Sequence, residues 1–144
     1  MDQARSVSTG GLDLALQMLL VARRRTGNRN LACGDMRSAP FVSGSIRAVV
    51  AFWSIHHLPR LALRTALIEI RSLLKPAGLF VVATHLGESD VYSSEFLGHQ
   101  ITPVGGTLYG NDELLDELGA SRLWLKASAI ATRFATSIGP AGYM

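Results

Sequence analysis

Apolar residues fall into short continuous runs separated by a stretch with helical spacing. Residues 46–53 and 79–84 are nearly continuous in β-branched, alanine, leucine and aromatic side chains, which is typical of strands buried on both faces of a parallel sheet. Between the two runs, apolar residues recur every three or four positions and stop before Lys75-Pro76, because proline disfavours helical geometry in the residue that precedes it. The pattern predicts an amphipathic helix that crosses over between two parallel strands.

The first third of the chain repeats this arrangement more weakly. Residues 6–13 give a weak strand signal, and Leu31-Ala32-Cys33 form a brief apolar run before Gly34-Asp35. The residues between these runs are spaced for a short helix, which Gly27 stops directly after a basic last turn. A second strand–helix–strand unit is therefore predicted.

The last third is less regular. Asn111 can cap a helix that carries acidic residues in its first turn and runs to about Leu118, where Gly119 closes it. Residues 123–138 alternate with aromatic and β-branched side chains, which suits an antiparallel edge pair. Residues 1–144 are predicted to form one α/β domain with an incomplete doubly wound, Rossmann-like, mostly parallel sheet and an antiparallel C-terminal edge.

Composition supports one folded domain. The chain has 144 residues, of which 48% are hydrophobic and 17% charged, and this balance is typical of a packed globular protein rather than a disordered one. No apolar stretch approaches the roughly 20 residues that span a bilayer, so we expect no membrane-spanning helix. The N-terminus lacks the features of a secretory signal, which predicts a cytoplasmic location. The single cysteine, Cys33, is interpreted as a small buried apolar residue rather than a nucleophile.

Charge differs between the two halves of the chain. Residues 1–76 contain 11 Lys or Arg against 4 Asp or Glu, whereas residues 77–144 contain 3 against 7. A basic half can indicate a nucleic-acid partner, but its one cluster, Arg23-Arg24-Arg25, stands at a predicted helix C-terminus, where cations favour the helix dipole. A solvated helix end is the favoured interpretation, and binding to nucleic acid is disfavoured.

The order of these features resembles the type 11 family of class I S-adenosylmethionine-dependent methyltransferases. The resemblance covers roughly residues 10–90, with weaker similarity over residues 107–118. Its most specific stretches are Gly-Asp-Met-Arg-Ser-Ala-Pro-Phe at residues 34–41, residues 49–59 ending in His-His-Leu-Pro, and the Leu-Lys-Pro-Ala-Gly turn at residues 74–78.

Three departures from the family pattern are visible. Arg47 stands where the family usually has an aspartate, and Ala77 replaces the first glycine of Lys-Pro-Gly-Gly. The strand and Gly-x-Gly-x-Gly loop that precede the family's first acidic strand do not occur in this sequence. We therefore expect an N-terminally truncated member whose cofactor binding is weakened.

The resemblance implies S-adenosyl-L-methionine as cofactor and assigns residues to it. Asp13 is similar to the family's acid that accepts hydrogen bonds from the ribose hydroxyls, and Leu14 would cover an adenine face. Asp35 resembles the acid that accepts from the adenine amino group, although a plain turn residue after glycine is the alternative. Met36 would offer a backbone amide and a polarizable side chain to the ring.

Two further sets of residues are candidates near the reacting methyl. The resemblance brings Phe52 and Trp53 close to the methionine part of the cofactor, while core packing is an equal alternative, and from a regular strand only one of the two can face the cleft. His57 is the candidate catalytic base, since histidine titrates near neutral pH, and the alternative is that it belongs to a loop and helix-start motif of the family. Adjacent histidines usually point apart, so no metal site is expected at His56 and His57.

The first hypothesis is methyl transfer to an unidentified, small-molecule acceptor, impaired in this truncated chain. The alternative is a non-catalytic remnant or interaction module of methyltransferase origin, which self-associates through an exposed sheet edge. An RNA methyltransferase fragment is the third reading, and it is disfavoured because the sequence has no interleaved aromatic and basic patch.

Overall fold

The computed structural model describes residues 7–96 and 98–130. Their elements, in chain order, are β1 (Gly11–Asp13), α1 (Leu16–Thr26), β2 (Leu31–Cys33), β3 (Ile46–Phe52), α2 (Leu63–Leu73), β4 (Leu74–Ala83), β5 (Asp90–Phe96), β6 (His99–Thr107) and α3 (Asn111–Ala120). Two short 3-10 turns, Ile55–His57 and Arg60–Ala62, connect β3 to α2. None of the helices in the described residues is long and apolar enough to cross a bilayer.

The first predicted strand–helix–strand unit is confirmed. Strands β1 and β2 are parallel, with Gly11 opposite Leu31 and Asp13 opposite Cys33, and α1 forms the crossover. Helix α1 ends at Gly27, whose φ of 69° is left-handed and suits glycine. The three arginines of the last turn are exposed, in agreement with a solvated helix end.

The second unit, built from β3, α2 and β4, carries most of the core. Strands β3 and β4 are parallel, in register from Ala48 opposite Leu79 to Phe52 opposite Ala83. Helix α2 ends where the sequence predicts, and its buried face consists of the apolar residues spaced at three and four, Leu63, Ala66, Leu67, Ile70 and Leu73. The predicted crossover helix is therefore confirmed.

The prediction that β3 and β4 are both buried on two faces is wrong, and residues 79–83 of β4 are half-buried or exposed. Ala51 is buried on the core side, but Val50 and Phe52 are 59% and 56% exposed. Alternate residues of a strand face opposite ways, so one face of β3 packs on the core and the other is open. Among the described residues β3 hydrogen-bonds only with β4, and the β1–β2 pair forms a separate sheet.

An antiparallel pair exists, but earlier in the chain than predicted. Strands β5 and β6 form a hairpin in which Asp90 pairs with Thr107. Residues 123–130 contain no strand, because the alternating pattern there has no second strand to pair with inside the described residues, and residues 131–138 lie outside them. The fold is a fragment of the Rossmann-like α/β architecture, with its antiparallel part at β5–β6.

The segment from Tyr109 through α3 is held against α2 and the connection before α2 by a buried ring and two ion pairs. The Tyr109 ring is fully buried, and its hydroxyl donates to the Leu58 carbonyl oxygen over 3.0 Å. The guanidinium of Arg60 pairs with the carboxylate of Glu113, which lowers the pKa of that carboxyl. Arg64 makes the second ion pair with Glu117. The helix ends at Ala120, one residue beyond the predicted stop at Gly119.

Candidate cofactor site

Asp13 closes β1 with an exposed carboxylate. Its Oδ1 accepts a hydrogen bond from the backbone N–H of Ala15 over 2.8 Å, which fixes the carboxylate beside the start of α1. The next residue, Leu14, is 70% exposed, so an apolar side chain and an acid stand together at this strand end. The carboxyl end of a parallel strand is where ligands bind in open α/β sheets.

The segment after β2 adjoins the end of β1. The N–H of Gly34 donates to the carbonyl oxygen of Asp13 over 3.0 Å, which extends the β1–β2 ladder past Cys33. A Cβ on Gly34 would lie 3.2 Å from Leu12 Cδ1 and 3.3 Å from Pro40 Cδ, so glycine permits this close packing. The backbone thereby brings the acid at 35 to the same sheet edge as the acid at 13.

The Asp35 carboxylate is already engaged. Arg37 donates from its backbone N–H to Oδ1 over 2.8 Å and from Nε to Oδ2 over 2.9 Å. These hydrogen bonds from Arg37 hold the pKa of Asp35 below its ordinary value. This pairing was not predicted from the sequence, although an arginine two residues after an acid is a signal that could have predicted it.

The loop after β2 reaches the second unit. The Met36 side chain packs against the core cluster that contains Ala51 and Ile55. An open cavity of about 570 Å³ lies between this loop and the start of α2 and is lined by Asp35, Arg37, Ser38, Pro59, Leu61, Ala62 and Thr65. The residues after β2 therefore lie beside the connection that follows β3.

Trp53 directly follows β3 and has an unusual backbone conformation. Its φ is 51°, while its N–H still donates to the carbonyl oxygen of Ala83 over 2.9 Å. Regular strand alternation therefore stops at Phe52, and both aromatic side chains are about half exposed, 56% for Phe52 and 48% for Trp53. The rule that only one of them can face the cleft does not apply to this irregular strand end.

Three histidines and Trp53 form a cluster of rings at the ends of β3 and β4. The centroids of His56 and His57 are 4.0 Å apart, and those of Trp53 and His85 are 4.6 Å apart. Burial, followed by the positive charges that His57 and His85 can carry, lowers the pKa of His56. His57, the predicted base, is exposed. The presence of His85 in this cluster was not predicted from the sequence.

Two other predictions concern cysteine and metal. Cys33 is exposed rather than buried, since β2 is a short edge strand, and its thiol donates to the Leu14 carbonyl oxygen over 3.4 Å. Within residues 7–96 and 98–130, no group of three His, Cys, Asp or Glu side chains is arranged to hold a metal ion.

Residues 3–82 match the family described as methyltransferase domain. This match covers more than half of the chain. The chain belongs to that methyltransferase family. S-adenosylmethionine is the cofactor of the family, in agreement with the resemblance noted from Asp13 and Asp35.

Three solved structures share the fold. The PH0226 protein from Pyrococcus horikoshii OT3 superposes with a TM-score of 0.66 at 19% identity, over 80% of this chain and 62% of that one. The Haloferax volcanii putative methyltransferase solved in complex with the Trm112 activator gives 0.63 at 22%, over 82% and 51%. CalS10, a SAM-bound amino pentose methyltransferase from Micromonospora echinaspora, gives 0.61 at 18%, over 78% and 64%.

This methyltransferase chain is shorter than the structures that it matches. It spans 51% to 64% of the length of these three. No curated protein sequence matches it significantly.

Proposed function

We propose that this chain binds S-adenosylmethionine at the carboxyl ends of β1, β2 and β3 and serves methyl transfer to a small-molecule acceptor. The observation that carries the proposal is the pairing of two strand ends. Asp13 and Asp35 follow adjacent parallel strands, and the Gly34 N–H to Asp13 carbonyl hydrogen bond of 3.0 Å holds those ends together.

Asp13 fits the ribose of the cofactor. A carboxylate has two oxygens that can accept hydrogen bonds from two neighbouring hydroxyls. The hydrogen bond from the Ala15 N–H occupies one acceptor position of Oδ1, and no group among the described residues donates to Oδ2. The exposed Leu14 side chain offers an apolar surface for an adenine face.

The Asp35 carboxylate can accept a hydrogen bond from the adenine amino group once the Arg37 side chain moves away from it. The amino group would replace the Arg37 side chain as the donor to the carboxylate, and the Met36 backbone amide would face the ring edge. Because the ion pair is solvent-accessible, with side-chain exposures of 26% for Asp35 and 47% for Arg37, the exchange costs little.

The remaining candidates act near the transferred group. S-adenosylmethionine held by Asp13 and Asp35 would supply an electrophilic methyl group bound to sulfur. Phe52 and Trp53 would flank this group and exclude water, and most acceleration would come from positioning. His57, exposed at the end of the same connection, would take the proton from a hydroxyl or amine acceptor.

Calorimetric titration with S-adenosylhomocysteine tests the proposal. We expect saturable binding that Asp13→Asn and Asp35→Asn each weaken about tenfold, since each loses a charged acceptor. Asp112→Asn, an equal charge change on exposed α3, is the control and should bind as the parent does. Absence of binding by the parent, or an equal loss of affinity in Asp112→Asn, would contradict the proposal.

A second candidate function is an interaction module that self-associates through β3. Its free edge has no strand partner among the described residues, and Val50 on the open face is 59% exposed. Unpaired edges of this kind favour pairing with another chain. Light scattering would then show a dimer that Val50→Lys dissociates but Leu61→Lys, at a 95% exposed position away from the sheet, does not. A monomer at every concentration would rule this candidate out.

A further inference from the structure

The Trp53 indole and the His85 imidazole form an exposed stacked pair. Their centroids are 4.6 Å apart and their planes are inclined by 30°. Trp53 is 48% exposed and His85 is exposed, so the two rings order each other while leaving aromatic surface open. Exposed apolar surface of this size is an informative feature of a protein surface.

The backbone at Trp53 supports a role in binding. A bulky residue rarely adopts the left-handed region, where its φ of 51° lies. Such strained conformations cluster at active sites and ligand clamps. The N–H of Trp53 donates to the Ala83 carbonyl oxygen directly after the last β3–β4 pair. The left-handed backbone therefore sets the orientation of the indole at the point where the two strands end.

Polar groups with unused hydrogen-bonding capacity surround the pair. His56 Nδ1 and Thr84 Oγ1 are buried and have no hydrogen-bond partner in the described part of the chain, although buried polar atoms are normally paired. The His56 ring lies edge-on to His85 at 5.9 Å. A Cβ on Gly106 would lie 3.4 Å from His56 Cδ2, so the β5–β6 hairpin bounds the cluster on one side.

We propose that the Trp53–His85 pair is the platform for the methyl acceptor and that this acceptor is an aromatic or heteroaromatic ring. Offset stacking on an indole favours a flat π-system over a saturated ring of the same size. The inference rests on the proposed function, because the segment ending at Trp53 is the one assigned to the surroundings of the reacting methyl. A ring held on Trp53 would therefore lie beside that methyl.

Nuclear magnetic resonance of the indole N–H groups provides the test, because the chain has only two tryptophans. Trp124 is 80% exposed and serves as an internal reference for non-specific binding, and Trp124→Phe assigns the two signals. The probes are 2-naphthol and its saturated counterpart decahydro-2-naphthol. We expect 2-naphthol to shift the Trp53 signal saturably, leave Trp124 unchanged and bind at least about fivefold more tightly than the saturated compound.

Two variants sharpen the result. His85→Leu should weaken 2-naphthol binding about fivefold, because the stacked support of the indole is lost. Tyr92→Leu removes another aromatic ring, 75% exposed on the hairpin, and should leave binding unchanged. Equal shifts at both tryptophans, no shift at Trp53, or equal binding of the saturated probe would overturn the inference.

The outcomes separate this inference from the proposed function. Selective naphthol binding by a chain that does not bind S-adenosylhomocysteine would retain the aromatic platform and sink the cofactor proposal. Binding of S-adenosylhomocysteine together with equal binding of 2-naphthol and its saturated counterpart would support the cofactor proposal and overturn the aromatic platform.

Discussion

The Arg37 guanidinium covers the carboxylate of Asp35, donating from Nε to both of its oxygens at 3.0 and 2.9 Å. The adenine amino group would need the same acceptor, so Arg37 competes with the cofactor. We predict that Arg37→Gln raises the affinity for S-adenosylhomocysteine about two- to fivefold, the range expected for releasing an exposed pair. Calorimetry measures the change.

The control for this prediction is Arg64→Gln, which breaks an ion pair with Glu117 on the distant α2–α3 surface. It should leave affinity unchanged. A lower affinity in Arg37→Gln would mean that Arg37 assists the cofactor rather than competing with it.

The irregular part of β4, where its pairing with β3 shifts register between Leu74 and Leu79, gives two stability predictions of opposite sign. Ala77 has a φ of 59°, so Ala77→Gly should relieve left-handed strain and stabilise the fold by about 0.5–1 kcal/mol after the entropy cost of glycine. At Gly78 a Cβ would lie 2.9 Å from the Lys75 carbonyl oxygen and 3.2 Å from that of Arg47. Gly78→Ala should therefore destabilise by about 1–3 kcal/mol.

Urea unfolding measures both changes. Ala22→Gly, within helix α1, is the matched control for the first and should lose about 1 kcal/mol. Destabilisation by Ala77→Gly of the same size as in this control would show that the left-handed geometry is not strained.

The buried hydroxyl of Tyr109 should contribute to stability. Tyr109→Phe removes its hydrogen bond to Leu58 and leaves that carbonyl without this donor, so we expect a loss of about 1–2 kcal/mol in the free energy of unfolding. Tyr92→Phe removes a hydroxyl from a 75% exposed side chain and should change stability by less than about 0.5 kcal/mol. Equal effects would contradict the buried position of Tyr109.

The depressed pKa of His56 predicts a loss of stability in mild acid. Unfolded histidine binds a proton as the pH falls below about 6.5, whereas burial, with His57 and His85 facing the ring, keeps folded His56 neutral to lower pH. Stability is therefore complete above about pH 6.5 and falls as the pH drops toward the folded pKa. Urea midpoints at about pH 7.5 and 5.5 should differ less in His56→Gln than in the parent.

The control is His99→Gln, which removes an exposed histidine from the hairpin. It should retain the parent's difference between the two midpoints. If His56→Gln also retains it, another group causes the acid sensitivity.

Periodicity predicted the elements whose apolar pattern reflects a single buried face. Helix α2 ends at Leu73, before Lys75-Pro76 as predicted, since the proline at 76 and the buried stripe both constrain it. The β5–β6 hairpin was missed because most of the described residues between 88 and 107 are polar or glycine and are exposed. Strands held mainly by backbone hydrogen bonds leave little periodic signal.

The candidate site could be predicted only in part, because the order of elements locates strand ends but not the orientation of side chains. Asp13 and Asp35 stand at strand ends that the order of elements already locates. The Arg37 pairing and the Trp53–His85 stack depend on side-chain orientation and on a left-handed φ at a tryptophan, and local propensity gives no indication of such a residue.

The central claim is that the cofactor binds at the carboxyl ends of the first three strands. Ultraviolet cross-linking of methyl-labelled S-adenosylmethionine, followed by tryptic peptide mapping, tests it most directly. The account predicts label in residues 6–23, 30–37 or 48–60, the peptides that contain Asp13, Asp35 and Phe52 with Trp53, and loss of that label when unlabelled S-adenosylhomocysteine is in excess. Label confined to residues 72–122, or label that the competitor does not displace, would contradict it.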